Sequence, residues 1–255
     1  MFLGICIFVL GLSGPIVAAD SARQGPQSEA PTEKIWSVDA APFEQRRGAA
    51  KILVKPLRLK QVSSKASKVI DVEDWLRAHG FEMPRSPLDV QENRVRVPVP
   101  SKNDGPPVSE LWDFSKWSQT GQEVKEDLPY TKQEVTWAER VGDILYVSHG
   151  HRTYAKSSAG LNAWISAIDL SSGALLWRSE PLVSNAQNFL IVGDVIVCGY
   201  GFTAEPDFIR QLNRHTGETL QKIPVPSGPE LLLMKDSRLF VRTYNRDLQF
   251  SVEGL

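Results

Sequence analysis

The second half of the chain alternates short apolar runs with turn residues, a pattern that predicts β-strands. Four such runs follow Gly173, and the pair Gly193-Asp194 between the second and the third suits a tight hairpin. Their apolar residues stand on consecutive positions, so both faces of each strand are predicted to be buried. No helical period appears after residue 118, which argues against the crossover helices that a parallel sheet needs. The four runs are Leu175–Trp177, Phe189–Val192, Val195–Cys198 and Phe208–Leu212.

A turn unit recurs in this half of the chain and predicts a stack of small sheets. Asp169–Gly173 is the clearest copy, Asn213–Gly217 is the second, and Thr120-Gly121 is what remains of a third. The Asp or Asn side chain can bond amides of the turn, and the Gly permits positive φ. Trp177 can then lie flat against the neighbouring sheet. The glycines of the three copies are 52 and 44 residues apart, and intervals of this size are typical of propeller blades and arrays.

These turns resemble the docking motif of the pyrroloquinoline-quinone-like β-propeller repeat family, Ala-x-Asp-x-x-Thr-Gly-x-x-x-Trp. The first clear copy has Ser172 in the Thr position, and the second has Gln221 where Trp belongs. The resemblance covers residues 118–255, and the motif residues are interpreted as structural. They are Ala167, Asp169, Gly173 and Trp177 in one copy and Asn213, Thr216 and Gly217 in the other.

The resemblance implies a mainly β fold, a partial β-propeller of about three four-stranded blades over residues 118–255 preceded by a small α+β segment. A closed ring takes four to eight blades, so three would leave it open. Cryptic blades within residues 35–117, completion by another subunit and a truncated chain all fit the sequence.

The family contains both quinone-dependent dehydrogenases and non-catalytic scaffolds. In most of the enzymes an adjacent Cys-Cys pair and a Ca²⁺ site of Glu, Asn and Asp side chains hold the quinone, and this chain has no such Cys pair. The resemblance favours a non-catalytic binding or scaffold module with a protein partner and no catalytic, cofactor or metal residues. The alternative is a remnant or subunit of a quinone-dependent dehydrogenase, and only that alternative requires quinone and Ca²⁺.

Residues 1–19 are predicted to be a secretory signal peptide cleaved after Ala19. Phe2–Leu12 is an apolar run, shorter than the roughly 20 residues that span a bilayer, and small residues precede the cleavage point. An uncleaved anchor is the alternative. Cleavage predicts a secreted or periplasmic protein without a membrane span. Residues 20–34 are rich in Gln, Ser, Pro and Ala and are predicted to be a flexible tether.

Residues 35–97 are predicted to form the small α+β segment. Asp71 can cap a helix that ends at Gly80 and whose apolar residues share one face. Residues 98–117, which contain a run of Pro, Gly and Asn, are predicted to be a linker.

A basic stretch without acidic residues runs from Arg46 to Lys68. Contact with an anionic surface and a solvated face of a small β element are both open interpretations, and the solvated face is favoured. The surface contact would use Arg46, Arg47, Lys51, Lys55, Arg58 and Lys60.

Charge and cysteine content narrow the functional classes. The chain has 29 Lys and Arg against 30 Asp and Glu, and this balance argues against nucleic-acid binding, which needs a dominant positive field. With only two cysteines, Cys6 and Cys198, a disulfide-stapled scaffold is excluded. Loss of the signal peptide would leave Cys198 alone, and its apolar neighbours predict that it is buried.

Three aromatic residues are candidates for a binding rim on the propeller face: Trp164, Tyr200 and Phe202. Such a rim would suit a sugar or a peptide. His149-x-His151 on a strand puts two imidazoles on one face, as a metal pair needs, but no third ligand is near in sequence.

Overall fold

The computed structural model describes residues 33–39, 47–66, 71–99, 108–118, 126, 128–202 and 204–253. The predicted signal peptide, most of the tether, Arg46 and the Thr120-Gly121 turn lie outside these residues. Within them the α-helices are α1 (Val72–His79) and α2 (Leu128–Thr131), and short 3-10 helices cover Ser115–Ser118 and Ala155–Ser158. The strands in chain order are β1 (Ile35–Ser37), β2 (Arg58–Ala66), β3 (Asp89–Gln91), β4 (Arg94–Val99), β5 (Val108–Asp113), β6 (Glu134–Val141), β7 (Ile144–Gly150), β8 (Trp164–Asp169), β9 (Leu175–Arg178), β10 (Leu190–Val192), β11 (Val195–Phe202), β12 (Glu205–Asn213), β13 (Thr219–Pro224), β14 (Pro229–Lys235), β15 (Arg238–Thr243) and β16 (Arg246–Glu253).

The strands of the described residues form four sheets of four, which we number I to IV. Sheets II and III are meanders of consecutive strands, β6 to β9 and β10 to β13. Sheet I has the order β1-β5-β4-β3, and sheet IV has the order β14-β15-β16-β2. β1 pairs in parallel with β5, whereas β2 pairs antiparallel with β16. The hairpin β10–β11 turns at Gly193 with φ 58°, as the Gly-Asp pair predicted.

Apolar layers separate successive sheets, in the order I, II, III and IV. Strand β11 shows why the middle strands are apolar on consecutive residues. Ile196 and Cys198 pack in the layer shared with sheet II, while Val195 and Val197 pack in the layer shared with sheet IV. Because both faces of the strand are covered, alternate positions cannot be polar.

Helix α1 covers the free face of sheet IV. The carboxylate of Asp71 caps its first turn at 3.0 Å from the amide of Glu73, and Gly80 ends it at φ 70°, which confirms the predicted helix. None of the helices in the described part of the chain is long and apolar enough to cross a bilayer. The buried contact joins Trp75 and Leu76 of α1 to Leu231 and Leu233 of β14.

The free face of sheet I is polar instead of covered. Arg94 pairs with Asp113 at 3.6 Å, and Arg96 pairs with Glu33 and with Asp89. Strand β4 therefore alternates, with its arginines exposed and Val95 and Val97 buried toward sheet II. The two ends of the stack are thus protected in different ways, one by a helix and one by ion pairs.

Trp177 of sheet II docks against the turn of sheet III, as the motif predicted. A Cβ placed on Gly217 would lie 2.4 Å from the indole ring of Trp177. The indole nitrogen donates a hydrogen bond to the carbonyl of Arg214 at 3.1 Å. Gly217 has φ 71°. Glycine is therefore needed here both for the left-handed backbone conformation and for the close approach of the indole ring.

A second tryptophan docks on a turn glycine of the next sheet in the same way, although no sequence motif predicts it. Trp36 of β1 lies 3.2 Å from the position of a Cβ on Gly173. It stacks on Trp112 with ring centroids 4.9 Å apart, and its indole nitrogen donates to Glu110 at 2.6 Å. The outer strand of sheet I therefore supplies a docking tryptophan, as the outer strand of sheet II does.

The other motif residues shape the turns. The Asp169 carboxylate accepts hydrogen bonds from the amides of Ser171 and Ser172 at 2.7 and 3.2 Å. The bond from the Ser171 hydroxyl is the largest cause of the lowered pKa of Asp169. Asn213 likewise accepts from the amide of His215 at 2.9 Å. These contacts support the interpretation of the motif as structural.

Residues 33–39 and 47–66, which we call the N-terminal strap, contact all four sheets. β1 is part of sheet I, and Trp36 meets sheet II at Gly173. At sheet III the Gly48 amide donates to the carbonyl of Thr216 at 3.1 Å. The side chain of Gln211 bonds both the amide and the carbonyl of Leu57, at 2.7 and 3.0 Å. Farther along, β2 forms the outer edge of sheet IV.

The structure differs from the sequence expectation in the role of the N-terminal third. About three four-stranded blades were expected over residues 118–255, and these residues supply sheets II and III and three of the four strands of sheet IV. Sheet I is formed by residues before 118. The expected linker 98–117 contains the last two residues of β4 and all of β5. The expected α+β segment 35–97 contributes strands to sheets I and IV. These pairings join strands far apart in sequence, which local patterns do not reveal.

Candidate functional site

A cavity opens where sheets II, III and IV present their loops. The turns β7–β8, β11–β12 and β15–β16 lie at the same end of the sheets as the connections β9–β10 and β13–β14, and we call this end the loop face. The cavity has a volume of about 790 Å³ and takes residues from each of these turns and connections. Its side chains include Asn185, Phe202, Asp207, Glu230, Tyr244 and Asn245.

Hydrogen bonds hold the walls of this cavity. The Asn185 side chain pairs with both backbone groups of Gly201, donating at 2.9 Å and accepting at 3.1 Å. The Ser227 hydroxyl lies 2.6 Å from the side chains of both Thr243 and Asn245. These bonds join each inter-sheet connection to a neighbouring strand or turn, so the cavity is preformed.

Two carboxylates in the cavity differ in their partners. Glu230 accepts from Arg242 at 3.2 Å. Asp207 has one carboxylate oxygen, Oδ1, that is buried and makes no hydrogen bond in the described part of the chain. Burial and the nearby charge of Glu205 raise the pKa of Asp207. This oxygen packs against Gly201 and is an unsatisfied acceptor within the wall of the cavity.

The structure divides the predicted aromatic rim. Phe202 lines the cavity and lies 5.6 Å from the ring of Tyr154, which is partly exposed. Trp164 and Tyr200 are buried, so their assignment to a rim is wrong. Trp164 lies under the guanidinium of Arg178, and the Tyr200 hydroxyl bonds the carboxylate of Glu205.

The most exposed aromatic of the cavity is one that the sequence interpretation missed. Tyr244 is 79% exposed and lies in the β15–β16 turn beside Asn245. The sequence did indicate that Tyr244 is exposed, because a tyrosine in a tight turn between two apolar strands lies outside the core. Asp207, by contrast, gave no signal, since its burial depends on Gly201 and on the packing of sheet IV.

A buried arginine, Arg178, lies beneath the loops of sheet II in contact with a tryptophan and a histidine. Arg178 is 2% exposed and stacks over Trp164 with its guanidinium carbon 4.1 Å from the ring centroid. It donates to His149, whose ring nitrogens lie 3.1 and 3.2 Å away. Burial lowers the pKa of Arg178 to about 9, so it stays charged at neutral pH. Burial and this charge keep His149 neutral, with a pKa well below its usual value.

His151 is also buried and neutral at pH 7. Its Nδ1 accepts from the amide of Thr153 at 3.4 Å, and its Nε2 therefore carries the proton and donates to Ser158 at 2.8 Å. Burial lowers the pKa of His151 from 6.5 to about 4. No group of three His, Cys, Asp or Glu side chains comes together among the described residues to hold a metal, so the His149-x-His151 pair acquires no third ligand there.

The buried His151 predicts loss of stability in mild acid. Below pH 6.5 the unfolded chain takes up a proton at this residue, and the folded chain does so only near pH 4, so stability falls over that window. The contribution lost by pH 5 is about 2 kcal/mol. In His151→Gln, the difference between the free energies of unfolding at pH 7 and pH 5, measured with urea, should be smaller by that amount. An unchanged difference would contradict this assignment.

The donor set does not fit the quinone and Ca²⁺ site that the family resemblance implies for enzymes. Cys198 lies inside sheet III, and burial raises the pKa of its thiol to about 12. In the cavity Glu230 is paired with Arg242, and among the described residues no three His, Cys, Asp or Glu side chains come together to hold a metal ion. We therefore assign no cofactor residues.

The predicted basic residues lie along the strap. Arg47 pairs with Glu218 of sheet III at 3.5 Å. Lys51 and Lys55 are exposed on the extended segment before β2, and Arg58 and Lys60 are exposed on β2 itself. The structure thus brings four predicted cations to the outer edges of sheets III and IV and engages a fifth in an ion pair.

Comparisons with known proteins identify no family. No protein-family model matches the chain, and no curated protein matches its sequence. Among solved structures it is similar to the computationally designed protein Ika8 at 17% identity, over 65% of this chain and 44% of that one, with a TM-score of 0.37. BamB from Moraxella catarrhalis gives 12% identity over 48% and 46%, with a TM-score of 0.29. The designed protein Ika4 gives 16% identity over 68% and 95%, with a TM-score of 0.35. The chain thus spans less than half the length of the first two.

Proposed function

We propose that the chain is a non-catalytic binding or scaffold module, built as an open, partial β-propeller, that holds a protein partner at its loop-face cavity. The stacking of four-stranded sheets with Trp177 and Trp36 docked on turn glycines supports the propeller architecture. The protected ends of the stack, covered by α1 or lined by ion pairs, support an arc that is stable without closing into a ring.

The cavity on the loop face is the observation that carries this proposal. It is preformed, and it combines amide side chains, the carboxyl group of Asp207 and the aromatic rings of Phe202 and Tyr244. Peptide segments present backbone donors and acceptors beside apolar side chains, and such a lining suits both. Tyrosine is also among the residues enriched at protein interfaces.

The state of the reactive groups favours binding over catalysis. Cys198 has a raised pKa and is buried, so it does not supply a thiolate. His149 and His151 are buried, neutral and hydrogen-bonded. A lone thiol that stays protonated is also compatible with the secreted or periplasmic location that we propose from the N-terminal sequence.

Site-directed crosslinking tests the proposal. A photoreactive benzoylphenylalanine in place of Tyr244 should give a defined protein adduct in the cells that make the chain, because this residue is exposed beside the cavity. The same group in place of Tyr130, which is 68% exposed on α2 and does not line the cavity, is the matched control. Adding Asp207→Asn should weaken the adduct at 244 at least threefold.

Two outcomes would overturn the proposal. One is an equal adduct from both positions, or an adduct at 244 that is insensitive to Asp207→Asn. The other is turnover in a dye-linked dehydrogenase assay with added quinone and Ca²⁺, which would establish the enzymatic alternative.

A further inference from the structure

The outward face of the strap carries exposed apolar side chains. Val54, Leu57 and Leu59 point inward and pack against the apolar layer between sheets III and IV. Leu53 is 91% exposed and Val62 is 52% exposed. An inward-facing set therefore holds the strap on the protein and leaves these two on its solvent side.

Lysines flank both exposed apolar positions. Lys51 and Lys55 lie on either side of Leu53, Lys60 precedes Val62, and all three are exposed. None of the three forms an ion pair with a described residue. The register of sheet IV places Lys60 opposite Ser251, which lies opposite Arg238, so a further exposed cation shares its row.

Acidic groups face the strap at two places only among the described strand pairings of β2. Glu253 lies opposite Arg58, and Asp247 lies opposite Lys65. Neither pair is close enough to form a salt bridge. Lys60 has Ser251 and no acidic residue opposite it, and Lys51 and Lys55, which precede β2, form no ion pair with a described residue. The charge of these three lysines is therefore weakly screened.

Two explanations compete for this surface. Lysines on an edge strand prevent pairing with other chains, and that accounts for the cations of β2. It does not account for Leu53 and Lys55, which precede β2 and belong to no sheet. A bilayer with anionic headgroups accounts for both features, since it attracts lysines through its surface potential and accepts apolar side chains at the acyl boundary.

We propose that the outward face of the strap, from Lys51 to Lys65, docks the protein on a bilayer of anionic phospholipids. The lysine ammonium groups lie at the lipid phosphates, and Leu53 enters the boundary of the acyl chains. This stretch spans up to about 45 Å when extended, enough to contact several headgroups. It shares no residue with the loop-face cavity, so the two proposed sites do not overlap.

Partition into lipid vesicles tests this inference with the full chain. Vesicles of phosphatidylcholine with 30% phosphatidylglycerol are compared with vesicles of phosphatidylcholine alone, at low and at high salt. The apolar run Phe2–Leu12 contributes equally to binding to both kinds of vesicle. The ratio of the two partition coefficients therefore isolates the effect of lipid charge. We expect a ratio of about tenfold or more at low salt, falling toward one at high salt.

Matched variants connect this ratio to the strap. Lys51→Gln, Lys55→Gln and Lys60→Gln together should lower the ratio at least tenfold or bring it to one. Arg85→Gln, Lys116→Gln and Lys132→Gln remove the same charge outside the strap and should leave the ratio within twofold. Leu53→Ser should weaken binding to the anionic vesicles severalfold without changing the melting temperature, because Leu53 is exposed in the folded protein.

The inference is overturned if the ratio of the wild type is one, or if the two triple variants lose the same amount of binding. It is also overturned if the protein binds a soluble polyanion such as polyphosphate but shows no preference for anionic vesicles.

Discussion

A chain that lacks residues 1–66 is expected not to fold to a stable monomer. It would lose β1 and β2, and with them the outer strands of sheets I and IV. It would also lose the stacking of Trp36 on Trp112 and the inward side chains Leu57 and Leu59. Full burial of an aliphatic side chain contributes about 1.5 to 3 kcal/mol, and Leu57 and Leu59 are partly buried. Their loss, added to the loss of the β1–β5 and β2–β16 pairings, is comparable with the margin of about 5 to 15 kcal/mol that keeps a typical domain folded. The exposed edges of β5 and β16 then favour association.

The measurement is size-exclusion chromatography with thermal melting by circular dichroism. Removal of residues 1–32 alone is the control, and it should leave the melting temperature within a few degrees of the full chain. A synthetic peptide of residues 33–66 added to the shortened chain should restore cooperative melting. A monomer of residues 67–255 that melts near the temperature of the full chain would show that the strap is dispensable.

The second large effect is expected at the docking contact of Trp177. Gly217→Ala places a methyl group 2.4 Å from the indole ring, which is buried and cannot move aside. Gly193→Ala is the matched control, since Gly193 also has positive φ but has no atom within 4 Å of the added Cβ. The control should lose about 1 kcal/mol from its backbone conformation alone. Gly217→Ala should lower the free energy of unfolding by about 3 kcal/mol, because the added methyl group also overpacks the indole ring of Trp177.

A double-mutant cycle tests the cause. Trp177→Ala should itself cost about 3 to 5 kcal/mol. In the Trp177→Ala background, Gly217→Ala should lower the free energy of unfolding no more than Gly193→Ala does, because the indole ring that would clash with the new methyl group is absent. Urea unfolding of the four proteins measures these terms. Equal losses for the two glycine variants in the wild-type background would remove the docking contact as a source of stability.

The repeated half of the fold was predictable because its information is local. The turn at Asp169–Gly173, the hairpin glycine at 193 and the helix from Asp71 to Gly80 each depend on residues within ten positions of one another. The place of Trp177 followed from a motif of the same length. Short-range patterns therefore predicted the sheets that are made of consecutive strands.

The N-terminal strands were not predictable in this way. β1 has three residues and pairs in parallel with a strand that begins about 70 positions later. β2 carries more polar than apolar residues, because one of its edges and most of its outward face meet solvent. Trp36 performs the docking role without the motif that marks Trp177, since its strand enters sheet I from elsewhere in the chain.

The candidate site was predictable as a location, but its side chains were predicted only in part. Phe202 reaches the cavity, while Tyr200, two residues before it on the same strand, turns its hydroxyl to Glu205. A β-bulge between these two residues changes the register of β11. The two rings stay in edge-to-face contact, with centroids 6.1 Å apart. Bulges arise from the pairing of strands, so the alternation of the sequence gave no sign that only one of the two rings would line the cavity.

The path of the strap has a consequence for the timing of folding during synthesis. Lys60 is among the first quarter of residues to leave the ribosome, yet its strand pairs with Ser251, 191 positions later. Until β16 is made, the apolar side of β2 has no native surface to cover. Such long-range closure is slow compared with local folding. The early segment therefore needs its many lysines and serines to remain soluble while it waits for the end of the chain.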